Sequence, residues 1–255
     1  MKSPLTLTSL GAAAGLALSL ALVPAQAQAQ GPAAPAKDRA ATIVPCNNIT
    51  ALRTAISNAN SAPAGVVSDI VLIPGCTYTV RTANTTGAPE GLPPISGNIR
   101  MSGLSSSIVR ATGASVAPFR LFTVNPSGTL ALTSVNVRGG ATLTSGGGIY
   151  NNGRLNVVSG DVKDNNASLN GGGIYTGLGS VTTLTGTTVS GNEAPGGNGG
   201  GIFASARTTL VSSVITGNAA VDGGGIYDQN NTVFLVGAAV FLNSPNNCSP
   251  SVPGC

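Results

Sequence analysis

The stretch Gly171-Gly172-Gly173-Ile174-Tyr175 occurs four times along the chain, with only its last residue varying between Tyr and Phe. Self-similarity at a period of 20–50 residues is typical of solenoids and other repeat architectures. The isoleucines of successive copies are 25, 28 and 24 residues apart, and they are Ile149, Ile174, Ile202 and Ile226.

A second signature follows each glycine triplet. Two alternating positions, a later β-branched residue and an Asn keep one spacing in four units, and a fifth unit (Leu130, Leu132, Val137) has Gly140 in place of the Asn. The four sets are Leu155, Val157, Val162, Asn165; Thr182, Leu184, Val189, Asn192; Thr208, Leu210, Ile215, Asn218; and Val233, Leu235, Val240, Asn243.

This spacing predicts three short strands in each unit of about 25 residues. Alternation puts two side chains on one face of a strand, and the third inward residue lies beyond a bend. One such coil cannot bury its inward face, so several must stack. We therefore predict an all-β fold, a right-handed parallel β-helix with a short N-terminal capping helix.

The repeated Gly and Asn residues have a structural explanation. Glycine reaches positive φ without steric cost, and Asn tolerates the left-handed region while its amide bonds to backbone or to a stacked Asn. Two alternatives remain open for the aromatic residues that follow each Ile. Either they form an outward ladder suited to stacking on sugar rings, or neighbouring residues cover them.

Residues at both ends of the repeat predict caps, which an open sheet edge requires. Residues 50–61 predict a helix with Thr50 as its N-cap and with Leu52, Ala55, Ile56 and Ala59 on one apolar stripe. Residues 70–73 and 78–80 predict the first strands, and residues 99–124 predict irregular early coils. Prolines 245, 250 and 253 end the β-pairing.

The N-terminus predicts export. Lys2, an apolar stretch and a series of small residues after Pro24 form a secretory signal peptide over residues 1–29, and the apolar stretch is too short for a membrane anchor. Residues 30–40 read as a flexible leader and residues 41–255 as the β-helix domain. Export permits disulfides. Four cysteines allow three connectivities, of which Cys46–Cys76 with Cys248–Cys255 is the simplest.

Composition limits the classes of function. Charged residues make up 8% of the chain and the net charge is +4 without a basic cluster, so we expect no nucleic-acid partner. His is absent, which excludes an acyl-transfer triad of the usual form. No later segment predicts a membrane span, and we expect a monomer that uses no cofactor.

One pair of carboxylates could come together for glycoside hydrolysis, which needs two on one face. Asp164 precedes Asn165 in one coil, and Glu193 follows Asn192 in the next. The alternative, which we favour, is that both are solvated turn carboxylates. Arg138 and Lys163 share a register and could meet an acidic polymer. The alternative, which we favour, is that both point outward and are simply solvated.

The repeats carry a resemblance to a known family. Gly-Gly-Gly-Ile-Tyr followed by Ser190-Gly191-Asn192 or Thr216-Gly217-Asn218 resembles right-handed β-helix proteins of the pectate-lyase-like superfamily, with repeats similar to those of polymorphic outer-membrane proteins. The segment from Cys46 through 52–60 resembles the Cys-Ser-Leu-Arg-Glu-Ala-Ile module of secreted bacterial β-helix proteins, with four extra residues after Cys46 and Thr54 in place of Glu.

The resemblance covers residues 41–255 and implies the fold more than the function, because the superfamily includes lyases, hydrolases and adhesins. The favoured hypothesis is a secreted or cell-surface scaffold or binding protein without catalytic activity, in contact with an extracellular polysaccharide or another surface component. The alternative is a polysaccharide lyase or glycoside hydrolase. In that case Asp164 and Glu193 are the candidate catalytic residues, and a lyase would add calcium and Arg154 or Arg207 as base.

Overall fold

The computed structural model describes residues 40–85, 90–113 and 115–255. The predicted signal peptide and almost all of the predicted leader lie outside the described residues. Parallel strands stack into a β-solenoid of about seven turns, accompanied by one short helix. The predicted fold class is therefore confirmed.

Each full coil has four faces, which we number in chain order. Face 1 holds β5 (Phe122–Val124), β8 (Ile149–Asn151), β12 (Ile174–Thr176), β16 (Ile202–Ala204), β20 (Ile226–Asp228) and β23 (Cys248–Ser249). Face 2 holds β2 (Val67–Leu72), β9 (Arg154–Val158), β13 (Val181–Thr185), β17 (Thr208–Val211) and β21 (Val233–Val236).

Faces 3 and 4 complete the coil. Face 3 holds β3 (Thr77–Val80), β10 (Asp161–Lys163), β14 (Thr188–Ser190), β18 (Val214–Thr216) and β22 (Ala239–Phe241). Face 4 holds β7 (Ala141–Thr142), β11 (Asn166–Ala167), β15 (Glu193–Asn198) and β19 (Ala219–Asp222). The long strands β4 (Asn98–Arg110) and β6 (Thr129–Arg138) bend across faces 2 and 3, and β1 (Thr42–Val44) pairs with β2.

The predicted register is confirmed on every face that the sequence pattern described. Leu184 pairs with Val157 on one side and Leu210 on the other, and all three side chains are fully buried. The four repeat isoleucines also pair in register on face 1 and are fully buried. Faces 2 and 3 meet at a residue with positive φ in each coil, namely Ser134, Ser159, Gly186, Ser212 and Gly237.

Two predictions about the strands were wrong. Among the described residues, four coils have a fourth strand, on face 4, directly after the Asn or, in the first of them, after Gly140. β7 and β11 have only two residues, and β15 and β19 show no alternation of apolar and polar residues, so the sequence pattern did not reveal them. Residues 99–124 are not irregular throughout, because β4 pairs with β6 and β5 pairs with β8. Bends at Leu104 and Ser105, where φ is positive, break the alternation within β4.

The helix α1 (Ile49–Asn60) covers the N-terminal end. Its predicted apolar stripe is buried against the first coils, as expected for an amphipathic cap. The N-cap is Asn48 rather than Thr50: the Asn48 side chain accepts a hydrogen bond of 2.9 Å from the N–H of Ala51. Asn is as good an N-cap as Ser and better than Thr, so the N-cap lies two residues earlier than predicted.

Both predicted disulfides are present. The Cα atoms are 5.5 Å apart in Cys46–Cys76 and 6.3 Å apart in Cys248–Cys255, within the usual range for a disulfide. The first links the segment before α1 to the start of β3, and the second closes a loop at the C-terminus. Each therefore fastens one end of the solenoid.

Candidate functional sites

The repeated Asn residues form a buried ladder between the coils. The Nδ2 of Asn192 donates to the Oδ1 of Asn218 at 2.9 Å, and that oxygen also accepts the backbone N–H of Asn192 at 3.0 Å. The same pair of bonds joins Asn165 to Asn192 and Asn218 to Asn243. The ladder satisfies the buried amides, and this use of Asn confirms the structural explanation.

The left-handed backbone conformation, by contrast, belongs to the residue before each Asn rather than to the Asn itself. These preceding residues are Asp164, Gly191, Gly217 and Leu242, all with positive φ, and Gly139 has the same conformation before Gly140. The Asn side chain stays directed into the turn, where it can bond to its neighbours. This corrects the expectation that Asn itself adopts the left-handed conformation.

Glycine is required in the triplets for two different reasons. Gly171 has φ of +67°, which permits the turn into face 1. A Cβ on Gly172 would lie 2.3 Å from the carbonyl oxygen of Glu193 and 2.5 Å from that of Gly200, so a side chain there would collide with the next coil. The triplets therefore serve close stacking of the coils.

The aromatic residues on face 1 stack on one another along the solenoid. Ring centroids are 4.8 Å apart for Tyr150–Tyr175, 5.2 Å for Tyr175–Phe203 and 5.3 Å for Phe203–Tyr227, with planes within 5° of parallel. The ring faces are thus occupied by neighbouring rings. The inner rings offer only their edges to a ligand, so the alternative of an open platform for sugar rings does not hold for them.

A buried cation closes the N-terminal end of this aromatic stack. The guanidinium of Arg120 lies 4.9 Å from the centroid of Tyr150 and pairs with Glu90 at 3.1 Å. Burial lowers the pKa of Arg120, and the neighbouring Glu90 acts in the opposite direction. Sequence reasoning missed this pair. The two residues are 30 positions apart, close to the repeat length, and this separation was the available signal that they lie on adjacent coils.

Asp164 and Glu193 lie on either side of the Asn165–Asn192 rung. Asp164 occupies an exposed turn between faces 3 and 4, and its carboxylate is 3.5 Å from the guanidinium of Arg138. Glu193 begins β15 on face 4, is exposed, and accepts a 3.3 Å hydrogen bond from the amide of Asn166. Each carboxylate therefore has its own partner on an adjacent coil.

The candidate cations lie in two places. Arg138 and Lys163 pair in register on the outer surface of face 3, as predicted. Arg154 begins β9 on face 2, and Arg207 directly precedes β17, so both lie at the corner of faces 1 and 2. Asp164 and Glu193 lie at the corner of faces 3 and 4. The two arginines thus do not converge with the two carboxylates.

Further features concern metals and membranes. Across residues 40–85, 90–113 and 115–255, no three Cys or acidic side chains come together as a potential metal site. Within the same described ranges, no helix combines the length and the hydropathy needed to cross a bilayer.

Comparison with known proteins returned no match: no protein-family model fits the chain, and neither curated proteins nor solved structures include a significant match. The resemblance to pectate-lyase-like and polymorphic outer-membrane protein repeats therefore rests on the sequence motifs alone.

Proposed function

We propose that the mature chain is a secreted or cell-surface scaffold that binds an extracellular polysaccharide or another surface polymer and has no catalytic activity. The observation that carries the proposal is that the repeated residues contact neighbouring coils. The Asn ladder, the glycine triplets and the aromatic stack all act between coils, which leaves the outer surfaces of faces 2 and 3 as the repetitive surface available to a partner.

That surface has side chains suited to a polymer of sugars. Thr183, Thr185 and Thr209 are partly exposed on face 2, where their hydroxyls can donate to or accept from sugar hydroxyls. Lys163 on face 3 and the exposed Arg154 on face 2 add positive charge, which attracts acidic polymers. Parallel strands place Thr183 and Thr209 at the same register in adjacent coils, about 4.8 Å apart.

Export is part of the same proposal. Two disulfides are typical of proteins that fold in oxidising compartments, and they are compatible with an extracellular location. The signal peptide proposed for residues 1–29 supplies the route. We propose no membrane span in the mature chain and no nucleic-acid partner, because basic residues are few and scattered.

The test uses the purified mature chain with pectate, alginate and a neutral glycan, each with and without calcium. We expect retention on at least one polymer, weakened by salt if the polymer is acidic, and no unsaturated products or new reducing ends. Lys163→Ala should weaken binding to an acidic polymer severalfold. Arg81→Ala, which removes the same charge from an exposed site just after β3, should not.

The same assay tests the alternative, a polysaccharide lyase or glycoside hydrolase. Turnover that disappears in Asp164→Asn or Glu193→Gln would overturn the proposal in favour of an enzyme, and turnover only with calcium would indicate a lyase. Failure of every polymer to bind would remove the polysaccharide as partner.

A further inference from the structure

The last turn of the solenoid is incomplete. After Asn243, Ser244 bridges to Ala219 on face 4, and β23 pairs with β20 on face 1. The chain then enters the disulfide-closed loop 248–255, in which Val252 is buried against the core. In the described part of the chain nothing pairs with the outer edges of β21 on face 2 and β22 on face 3.

The hydrogen bonds of the preceding coil show which backbone groups face this open edge. The N–H groups of Thr208 and Ser212 donate to the carbonyls of Thr232 and Val236, at 3.0 and 2.9 Å. Alternate residues of a strand bond in opposite directions, so the N–H and C=O of Leu235 point away from β17. On face 3, Ala239 donates back to Ser213 at 2.9 Å, which leaves the N–H and C=O of Val240 on the open side.

The side chains at this edge are also incompletely covered. Leu235 and Val240 are partly exposed, although their equivalents one coil earlier, Leu210 and Ile215, are fully buried. Phe234 and Val236 point outward and are 50% and 55% exposed. Edge strands usually carry a Lys, another charged residue or a Pro, each of which blocks further pairing. Residues 229–255, however, contain no charged side chain.

A groove runs beside β21. Val233 to Val236 form one wall, Ser251 and Pro253 of the C-terminal loop contribute to the other, and the volume is about 430 Å³. Asp228 and Asn231 complete the lining; Asp228 is buried, and its carboxylate accepts the backbone N–H groups of Thr232 and Val233. This volume lies within the range of ligand clefts. An extended chain placed here would meet the unpaired backbone groups and the apolar side chains of β21 on one side, and Ser251 and Pro253 on the other.

We propose that this edge, formed by β21 and β22, binds an extended, uncharged peptide segment that adds to the solenoid as a strand. Main-chain hydrogen bonds to Leu235 and Val240 provide the affinity, and apolar side chains at alternate positions of the peptide cover the partly exposed interior. The peptide thus supplies the two faces that the last turn lacks.

A short peptide fits this edge better than a second whole copy of the chain. Ser244 and β23 already occupy the next level on faces 4 and 1, so a complete coil of another copy cannot stack there without displacing them. A polysaccharide fits less well, because the open N–H and C=O groups alternate at the spacing of a polypeptide backbone.

The test uses the full mature chain and a synthetic peptide of residues 208–216, the segment that occupies faces 2 and 3 one coil earlier. We expect saturable binding at one site by calorimetry, with amide-exchange protection at Leu235 and Val240. The same peptide with Leu210→Asp should bind roughly tenfold more weakly or worse, because it would bury a charge. A scrambled peptide is the composition control.

Two variants of the protein locate the site. Val236→Lys puts a charge on the exposed edge and should weaken binding roughly tenfold, as edge lysines block pairing. Val211→Lys, the matched change at the same register one coil inward, should leave binding unchanged. Circular dichroism and thermal melting check that both variants are folded.

Three outcomes would overturn the proposal. They are no saturable binding by the folded wild-type chain, equal binding by the Val236→Lys variant and the wild type, and dimerisation through this edge without peptide. The last, detected by sedimentation of the wild type against Val236→Lys, would assign the edge to a second copy. None of these outcomes depends on whether the faces of the solenoid bind a polysaccharide.

Discussion

Both ends of the solenoid expose the interior and an unpaired sheet edge, and the two ends cover them in different ways. At the N-terminal end β1 adds to the edge of β2, and α1 lies over the first coils. Side chains bond to the remaining backbone groups: the Asn47 carbonyl accepts the N–H of Thr79 at 2.9 Å, and the Tyr78 hydroxyl donates to the carbonyl of Val44 at 2.8 Å.

At the C-terminal end, a loop closed by a disulfide of sequence separation 7 buries Val252 but leaves β21 and β22 unpaired at their outer edge among the described residues. The difference shows that covering the interior and covering the sheet edge are separate tasks. The N-terminal cap buries the interior under α1 and bonds part of the edge through Asn47 and Tyr78. The short C-terminal loop, in the described part of the chain, leaves Leu235 and Val240 partly exposed and their edge without a partner. The open edge is a consequence of that short cap.

The largest expected difference between the ends concerns burial of a charge. Ile56→Asp places a carboxylate on the fully buried side of α1 and should lower the free energy of unfolding by about 4 kcal/mol. Val252→Asp should cost only about 1–2 kcal/mol, because the short loop can detach and hydrate the charge without opening the coils. Urea titrations of both variants measure the difference.

Ser57→Asp is the control, because this neighbouring helix position is exposed and should tolerate the charge within about 0.5 kcal/mol. Equal losses for Ile56→Asp and Val252→Asp would show that the C-terminal loop is as integral to the fold as α1. The prediction that the C-terminal loop, unlike α1, can detach without opening the coils would then be wrong.

A smaller difference is expected from the two disulfides. The chain-entropy relation gives roughly 3.6 kcal/mol for the loop of Cys46–Cys76, with sequence separation 30, and roughly 2.4 kcal/mol for Cys248–Cys255, with separation 7. The double replacements Cys46→Ser/Cys76→Ser and Cys248→Ser/Cys255→Ser, compared by chemical denaturation, should differ by about 1 kcal/mol in that order.

Peptide binding at the β21 edge adds a second readout for these variants. Loss of Cys248–Cys255 frees Ser251 and Pro253 from the wall of the groove, whereas loss of Cys46–Cys76 acts at the far end. A larger loss of stability in the C-terminal replacement than in the N-terminal one would contradict the entropy argument.

The interior coils and the ends also differ in how much of their structure could be predicted from the sequence. The interior coils were predictable to the residue, because Leu184 and its equivalents repeat at one spacing and each must face the core. The N-terminal helix was predictable from its apolar stripe, although its N-cap was not, because Asn48 and Thr50 are both capable caps. Face 4 escaped prediction because β7 and β11 have only two residues, and the longer β15 and β19 show no alternation of apolar and polar residues.

The sites were less predictable. The sequence showed that Asp164 precedes one Asn of the ladder and Glu193 follows the next, but it could not show that each carboxylate has a separate partner. The open edge at β21 was hidden for a similar reason. The sequence of the last unit matches the interior units at Val233, Leu235 and Val240, and only the path of the tail leaves their edge uncovered.

The smallest expected effect is a pH dependence confined to the C-terminal end. The carboxylate of Asp222 accepts hydrogen bonds from the Ser249 hydroxyl at 2.6 Å, from the Asn246 amide at 2.9 Å and from the N–H of Gly223 at 2.9 Å. The first two of these donors belong to the tail. They hold the pKa of Asp222 below its ordinary value of 3.8, the Ser249 hydroxyl most strongly.

Because the folded pKa lies below the unfolded one, the contribution of Asp222 is fully present above the unfolded value of about 4 and is lost as pH falls through the folded pKa. We therefore expect amide exchange in the tail to quicken, relative to α1, when the pH falls from 5 to 2.5. Asp222→Asn has no titrating group and should abolish the pH dependence of this ratio. Since Asp222 is partly exposed, solvent screening keeps the effect small. A tail that loosens equally in the wild type and in Asp222→Asn would show that another group controls the C-terminal cap in acid.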